Sequence, residues 1–312
     1  MLQSVSKAFF HLLAGNKTLK TVASRYGMRG SGFARRFIAG ETIAEAIEAA
    51  QRLRASGLPV TLDCLGEAVA NVAEADLATR AYLGMLGDIA AAGIERNLSL
   101  KLTQLGLTID RATSVDNLRR ILDAAAAKAF FVRIDMEDSS YTAVTLDIFE
   151  TMWQQGYRNA GIVLQSYLRR SEADAARMNA LGARLRLVKG AYKEPGDVAY
   201  RRKSEVDASF VRIMQLLLRE GHYPAIATHD PAMLEATRAY ARVRGIAPAA
   251  YEFQMLYGIR RDLQAALVRE GFRVRVYVPF GREWFAYFMR RLGERPANVE
   301  FVIRGLLSER RH

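Results

Sequence analysis

The 312-residue sequence has few of the residues that mark several common protein classes. Its single cysteine, Cys64, excludes an intrachain disulfide and agrees with a reducing compartment. The four histidines (His11, His222, His229 and His312) do not have metal-ligand spacing, so no metal site is expected. No apolar run approaches the ~18 residues that a membrane-spanning helix needs. We therefore expect a globular, cytoplasmic protein.

Several catalytic and nucleotide-binding motifs are also missing. The sequence contains no HExxH, no CxxC, no P-loop and no nucleophile elbow. The glycines Gly27, Gly30 and Gly32 do not form GxGxxG, and they do not follow a predicted strand. A classical dinucleotide-binding fold therefore has no support.

Acidic residues are absent from the first forty positions, although the chain as a whole carries 33 of them and a net charge of +12. The cations in this stretch are Lys7, Lys17, Lys20, Arg25, Arg29, Arg35 and Arg36. Such a segment is typical of an exposed basic helical face, of a contact with an anionic membrane surface, or of an organelle transit peptide. The sequence leaves these three alternatives open.

The rest of the chain alternates between short apolar runs and longer segments of helical periodicity. The eight runs are Pro59–Leu62, Leu98–Thr103, Phe130–Asp135, Gly161–Gln165, Arg184–Lys189, Pro224–Thr228, Glu252–Met255 and Val274–Val278. Eight such repeats in about 250 residues predict a (β/α)8 TIM-like barrel, with an open doubly wound sheet as the alternative.

A helical stretch precedes the first run and ends at about Ser56. Thr42 is a plausible N-cap for it, because Glu45 follows three residues later. We therefore divide the chain into an N-terminal helical region, residues 1–56, packed on a catalytic barrel, residues 57–312, within one domain overall.

Polar side chains recur where the predicted strands end, and active sites of barrels gather at that end. They are Asp63, Lys101, Asp135, Gln165, Lys189, His229 and Gln254. Each one alone could be an ordinary loop residue, but seven at equivalent positions indicate a site. A buried Lys101 would need an acid nearby, for which Asp135 is a candidate.

The last helical segment, 283–294, carries a second candidate group. Tyr287, Arg290, Arg291 and Glu294 share one face there, and adjacent arginines suit a carboxylate. A basic amphipathic face without a ligand would show the same spacing. The acids Asp63 and Glu67 could offset these arginines, because the first and last strands of a closed barrel are neighbours. If they lay on one helix, they would form a like-charge pair.

Six stretches, taken in order, resemble the proline dehydrogenase family, the catalytic module of bifunctional proline utilisation flavoproteins. They are Leu62–Glu67, Lys101–Gly106, Arg186–Tyr192, Ala227–Asp230, Tyr251–Gly258 and Tyr287–Leu292. The chain length is similar to that of the short monofunctional bacterial form. Lys193 stands where some members carry tryptophan, which puts contacts to the adenine side or the loop in question.

The resemblance implies FAD at the carboxyl ends of the strands. It implies oxidation of L-proline to Δ1-pyrroline-5-carboxylate by hydride transfer to flavin N5, as the first step of proline catabolism. A quinone in the membrane would receive the electrons, which would give the basic N-terminal region a role in peripheral contact with the inner membrane.

The resemblance also assigns residues. The catalytic set comprises Lys101, Asp135 and Arg186. The substrate set comprises Lys101, Asp63, Glu67, Leu256, Tyr277, Tyr287, Arg290 and Arg291, with Glu67 and Arg290 as an ion-pair gate and Asp63 as a brace for the arginines. The cofactor set comprises Met136, Gln165, Arg186, Val188, Lys189, Gly190, Ala191, Thr228, His229 and Glu294.

Two other functions stay open at this stage. One is a different flavin barrel, such as methylenetetrahydrofolate reductase, which would not need the paired arginines. The other is a basic, non-catalytic protein that binds nucleic acid or anionic membrane. Because such a protein does not require acids and cations collected at strand ends, we expect no nucleic-acid partner.

Overall fold

A computed structural model describes residues 33–66 and 68–294, although the side chains of residues 290–294 are outside the description. Eight strands form a closed barrel in the order of the chain. All neighbours are parallel, and the last strand pairs with the first, with Asp63 in register with Pro279. The strands are β1 (Val60–Cys64), β2 (Asn97–Leu100), β3 (Phe131–Ile134), β4 (Ala160–Gln165), β5 (Arg184–Val188), β6 (Ala225–Ala227), β7 (Glu252–Leu256) and β8 (Val274–Phe280).

Helices connect the strands and cover the outer face of the barrel, as expected for parallel βα units. They are α1 (Ile43–Ala55), α2 (Val72–Ala91), α3 (Arg111–Ala127), α4 (Ser139–Gln154), α5 (Ser171–Ala180), α6 (Lys203–Glu220), α7 (Pro231–Val243), α8 (Arg261–Arg269) and α9 (Trp284–Glu294). Helix α1 begins with the predicted capping box: Thr42 accepts from the Glu45 amide, and the Glu45 side chain accepts from the Thr42 amide.

Alternation along each strand separates an apolar outer layer from a polar axis. In β5, Leu185 and Leu187 join the main apolar core, whereas Arg186 contacts side chains across the barrel. Arg184 has the same parity as Arg186 and therefore points to the same side. The buried polar residues with this inward parity are Thr61, Asp63, Asn97, Ser99, Arg133, Gln165, Arg186, Glu252, Gln254 and Arg275. Barrels of this type usually fill the axis with branched apolar residues, so this interior is unusually polar.

Hydrogen bonds satisfy much of this polar interior. Near the amino ends of the strands, Arg275 donates to both oxygens of Glu252 at 2.8 and 3.1 Å. Gln254 Nε2 donates to Glu252 Oε1 at 2.5 Å. Gln254 thus bonds with the group near the amino ends of the strands and lies inside β7. The structure corrects our prediction that it lies at the carboxyl end of a strand.

Gly161 of β4 provides the space in which the Arg133 side chain extends over β4 towards β5. The Arg133 Nη1 atom donates to the carbonyls of Ile162 and Arg184 at 3.2 and 2.5 Å. A Cβ atom built on Gly161 would lie 2.5 Å from the Arg184 carbonyl oxygen and 2.7 Å from Arg133 Nη1. A side chain at this position would therefore force the backbone or the guanidinium to move.

The eight predicted strands and the barrel are confirmed, with shifts of a few residues at their ends. The largest shift is at β2, which ends at Leu100 because Leu102–Leu105 forms a 3-10 helix. The division at residue 56 stays a prediction. Residues 1–32, which carry most of the basic N-terminal stretch, lie outside the described residues.

Gly161→Ala should destabilise the protein by about 1–3 kcal/mol, because the added methyl overpacks the barrel axis. Urea unfolding followed by circular dichroism measures the change. The matched control is Gly87→Ala on the exposed face of α2, where nothing lies within 4 Å of the new Cβ. That change should stabilise by about 0.5–1 kcal/mol. Equal unfolding midpoints for the two variants would contradict the close-packing argument.

Candidate active site

The carboxylate of Asp135 collects three donors from other strands at the carboxyl end of the barrel. Arg186 Nη1 donates to Oδ1 at 2.7 Å and Ser99 Oγ donates to the same oxygen at 3.0 Å. Tyr277 Oη donates to Oδ2 at 2.8 Å. Side chains of β2, β5 and β8 therefore bond the residue that follows β3, and β5 and β8 are not ladder neighbours of β3.

Tyr277 and Arg186 also contact each other directly. The Arg186 guanidinium carbon lies 5.3 Å from the centre of the Tyr277 ring, which is cation–π distance. Burial, together with the charges of Asp135 and Asp63, raises the pKa of Tyr277 well above its usual value. The phenol therefore stays protonated and remains a hydrogen-bond donor to Asp135 throughout the physiological range.

Lys101 follows β2 and pairs with Asp63 of β1. Its Nζ atom lies 3.2 and 3.3 Å from the two Asp63 oxygens, and the Asp63 side chain is 1% exposed. Burial disfavours the charged form of Lys101, but the Asp63 and Asp135 charges outweigh it and raise the pKa of the lysine. The acid that pairs directly with Lys101 is thus Asp63, while Asp135, our candidate, lies near enough to act on the lysine through its charge. Because Asp63 lies on a strand, it does not form the conditional helical pair with Glu67.

Two buried side chains at this end keep hydrogen-bonding atoms without a partner among the described residues. They are Nε and Nη2 of Arg186 and Oε1 of Gln165. Arg186 and Gln165 are 4% and 3% exposed, so desolvating these atoms is costly unless a ligand pairs with them. Met136, whose carbonyl oxygen lies 3.5 Å from Gln165 Nε2, is buried next to them. Donors and an acceptor set out in this way fit a ring rich in nitrogen and oxygen, as a flavin is.

The loop after β5 is held from both sides. Lys189 Nζ pairs with Asp207 of α6 at 2.5 Å and with Asp230 at 2.7 Å. The next residue, Gly190, has φ of +112°, and a Cβ atom there would lie 2.3 Å from the Tyr167 ring. Only glycine fits such a backbone without strain. Three features therefore hold this turn in place: the positive φ of Gly190, the close approach of the Tyr167 ring to Gly190, and the two ion pairs of Lys189. The turn comprises Val188, Lys189, Gly190 and Ala191.

Thr228 and His229 lie in the next loop, after β6. The Thr228 hydroxyl accepts from the Asp230 amide at 3.1 Å, and the residue is buried. His229 Nε2 accepts from the Leu256 amide at 2.9 Å, so its other ring nitrogen carries the proton of the neutral tautomer. This bond fixes the end of β7, where Leu256 is placed.

Helix α9 lies at the same end of the barrel, since it follows β8 directly. Tyr287, on its first turns, is 7% exposed within a cluster that includes Trp284 and Phe288. The side chains of Arg290, Arg291 and Glu294 lie outside the described residues, and so does Glu67. The structure therefore brings the predicted strand-end residues to one end of the barrel, and the roles assigned to all of these residues stay predictions. Among the described residues, no group of three or more His, Cys, Asp or Glu could hold a metal.

Several site residues escaped sequence reasoning. Ser99 bonds Asp135 and lies two positions before Lys101, so strand alternation could have revealed it. Asp230 directly follows His229 and was visible as a neighbour of a predicted residue. Asp207 lies far along the chain on α6 and had no local signal. Glu194 accepts from the Ser139 amide and the Tyr167 hydroxyl, linking the β5 loop to α4.

The Lys189 cluster predicts an acid-sensitive contribution to stability. Burial acts to raise the pKa of Asp230, but hydrogen bonds from Lys189 and the Ala232 amide prevail and lower it from 3.8 to about 2. A depressed carboxyl pKa stabilises the fold above the unfolded value, and this stabilisation is lost as pH falls through the folded value.

Urea midpoints of the wild type should therefore fall between about pH 4 and about pH 2, and Asp230→Asn should flatten this dependence. Asp116→Asn, on an exposed helix position, is the control and should keep the wild-type slope. Parallel pH profiles for the wild type and Asp230→Asn would show that the cluster contributes nothing.

Comparison with known proteins adds a separate line of evidence. The family model described as proline dehydrogenase matches residues 46–304. Proline dehydrogenase 1 of Bacillus subtilis subsp. natto is 43% identical over 300 residues, covering 96% of this chain and 98% of that protein. The proline dehydrogenase of Deinococcus radiodurans is 42% identical over 279 residues, with 88% and 90% covered.

Solved structures agree with the barrel architecture. The structure of proline utilization A (PutA) from Bdellovibrio bacteriovorus, inactivated by N-propargylglycine, aligns with a TM-score of 0.78 and 29% sequence identity. The alignment covers 83% of this chain but 32% of that longer chain. The similarity therefore concerns one part of a larger protein.

Proposed function

The chain belongs to the proline dehydrogenase family, and from this premise we propose that it oxidises L-proline to Δ1-pyrroline-5-carboxylate with FAD as the hydride acceptor. We further propose that a quinone takes up the electrons. The observation that carries the proposal is the pair of unpartnered nitrogens on Arg186, buried at the end of the barrel where (β/α)8 enzymes act.

The proposed flavin site combines these orphan atoms with the loop after β5. Arg186 and Gln165 would hold the ring, with Met136 beside them. Val188, Lys189, Gly190, Ala191, Thr228, His229 and Glu294 complete the proposed cofactor set. The cationic Arg186 would favour a reduced, more anionic flavin, and Asp135 holds that guanidinium in place at 2.7 Å. When bound, the flavin supplies the two-electron acceptor that the side chains of this protein lack.

The proposed substrate site lies between the barrel mouth and helix α9. Arg290 and Arg291 would grip the carboxylate of proline in a fork geometry. Tyr277, Tyr287 and Leu256 would form walls of a small pocket around the ring. Lys101, held by Asp63, would add positive charge at the mouth, and Glu67 would close over the substrate by pairing with Arg290.

The residues then act by positioning rather than by covalent attack. Proline must lose its ammonium proton before a hydride can leave C5, because the nitrogen lone pair supplies electron density. Tyr277 stays protonated and anchored to Asp135, so it presents a fixed edge to the pocket. Fixed donors and a closed pocket hold the substrate in a reactive orientation, which is the expected contribution of a protein to cofactor chemistry.

The basic N-terminal region is proposed to dock the enzyme near its quinone. Seven cations without an acid before Glu41 would be attracted to anionic lipid. Among the described residues, no helix combines the length and apolar character required to cross a bilayer. The form of membrane association that we propose is a surface contact made by these cations.

A direct experiment is the visible spectrum of the purified protein before and after anaerobic addition of L-proline. We expect a yellow preparation with flavin absorption bands that bleach with proline. An enzyme of the methylenetetrahydrofolate reductase kind would be yellow but would not bleach with proline. A colourless protein that does not take up added FAD would overturn the cofactor proposal.

Arg290→Met should weaken proline binding by about 2–4 kcal/mol, since a charge-assisted carboxylate contact is lost. Anaerobic titration of the flavin spectrum with proline measures this effect, and FAD occupancy should not change. Arg269→Met, on the exposed end of α8, is the control and should bind proline normally. A normal proline affinity in the Arg290 variant would contradict the carboxylate assignment.

A further inference from the structure

The amino end of the barrel, opposite the active site, contains an open cleft with no role in the proposed reaction. The cleft has a volume of about 910 Å³ and lies among the segments that lead into β2, β3, β5, β6, β7 and β8. Its polar lining includes Arg96, Arg184, Arg273, Arg275 and Glu95. A second cleft of about 630 Å³ shares Glu95, Arg96 and Arg273 with it.

Positive charge exceeds negative charge in this region. Five arginines, the four in the lining and the buried Arg133, face the two carboxylates of Glu95 and Glu252. Arg275 and Arg273 each form ion pairs with both carboxylates, at N···O distances of 2.8–3.5 Å. This leaves three positive charges without compensation among the described residues.

Arg184 is held in a fixed orientation but lacks an acidic partner in the described part of the chain. Its guanidinium carbon lies 4.3 Å from the Phe131 ring centre and 4.9 Å from that of Tyr223. The Nε–H donors of Arg184 and of Arg133 are buried and donate to no acceptor among the described residues. A rigid, stacked guanidinium with free donors is the arrangement that proteins use to bind planar oxyanions.

The cluster is electrostatically and conformationally unfavourable as it stands. Burial lowers the pKa of Arg133, and the charges of Arg186 and Arg184 lower it further. Tyr223, a lining residue whose ring lies against Arg184, adopts a left-handed backbone conformation with φ of 50°. Strain and charge repulsion in one place are typical of a site that a ligand completes.

We propose that this cleft binds a small oxyanion with at least two negative charges, such as a phosphate ester or a dicarboxylate. Arg184 would be the central ligand, and Arg96 and Arg273 would approach from the exposed rim. A purely structural ion network would pair its charges, as Arg275 does with Glu252, whereas Arg184 and Arg96 form no ion pair within residues 33–66 and 68–294. The site does not depend on the proposed function, because it shares no ligand with the active site.

The test is isothermal titration of the FAD-saturated full-length protein with sodium pyrophosphate, and separately with succinate, at constant ionic strength. We expect a dissociation constant below about 1 mM for at least one probe. The two probes distinguish a phosphate site from a dicarboxylate site. Arg184→Met retains much of the apolar packing and should weaken binding by at least about tenfold.

Arg238→Met is the matched control, since it also removes one charge but lies on the outer helix α7, paired with Glu235 and Glu270. It should bind the probe as the wild type does. If Arg184→Met fails to fold, Arg273→Met at the exposed rim replaces it and should weaken binding about threefold. No binding to the wild type up to about 10 mM, or binding that these cleft variants leave unchanged, would overturn the proposal.

Discussion

The carboxylate of Asp135 is the constraint on which the barrel mouth depends. It holds Arg186, Ser99 and Tyr277, which come from three other strands, within 2.7–3.0 Å. The Asp135 carboxylate therefore orients the Arg186 guanidinium and the Tyr277 phenol. In the proposed reaction these two groups contact the flavin and the substrate pocket. The contacts from Arg186 and Tyr277 also connect β5 and β8 with the end of β3, although neither strand pairs with β3 in the barrel wall.

The polar interior of the barrel holds two groups of charged side chains, one at each end of the strands. Asp135, Arg186, Asp63 and Lys101 meet at the carboxyl end, and Glu252 and Arg275 meet at the amino end. Buried ion pairs persist only where hydrogen bonds replace the lost water, and both groups are extensively hydrogen-bonded. Arg186 and Gln165 at the carboxyl end, and Arg184 and Arg133 at the amino end, keep buried polar atoms without a partner among the described residues, and these atoms motivate the two proposed binding sites.

The barrel could be predicted because short apolar runs alternate along the sequence with segments of helical periodicity. The start of α1 could be predicted because Thr42 and Glu45 form a capping box. Pairings inside the barrel could not be predicted in the same way. From the sequence, Lys101 could pair with Asp135 or with Asp63, since these residues lie near the carboxyl ends of the two strands beside β2. The register of the strands in the folded barrel decides between them. Asp207 could not be predicted because its partner, Lys189, lies on another element. Gln254 was predicted at the end of its strand, whereas it lies two residues before the end of β7.

The most direct test of the role given to Asp135 is the rate of flavin reduction by proline in FAD-loaded Asp135→Asn, measured by stopped-flow under anaerobic conditions. An amide has the shape of the carboxylate but cannot accept from Arg186, Ser99 and Tyr277 together, and its NH2 group repels one donor. We expect the rate constant to fall by at least about tenfold with FAD still bound. A rate equal to that of the wild type would show that the mouth is organised without this carboxylate.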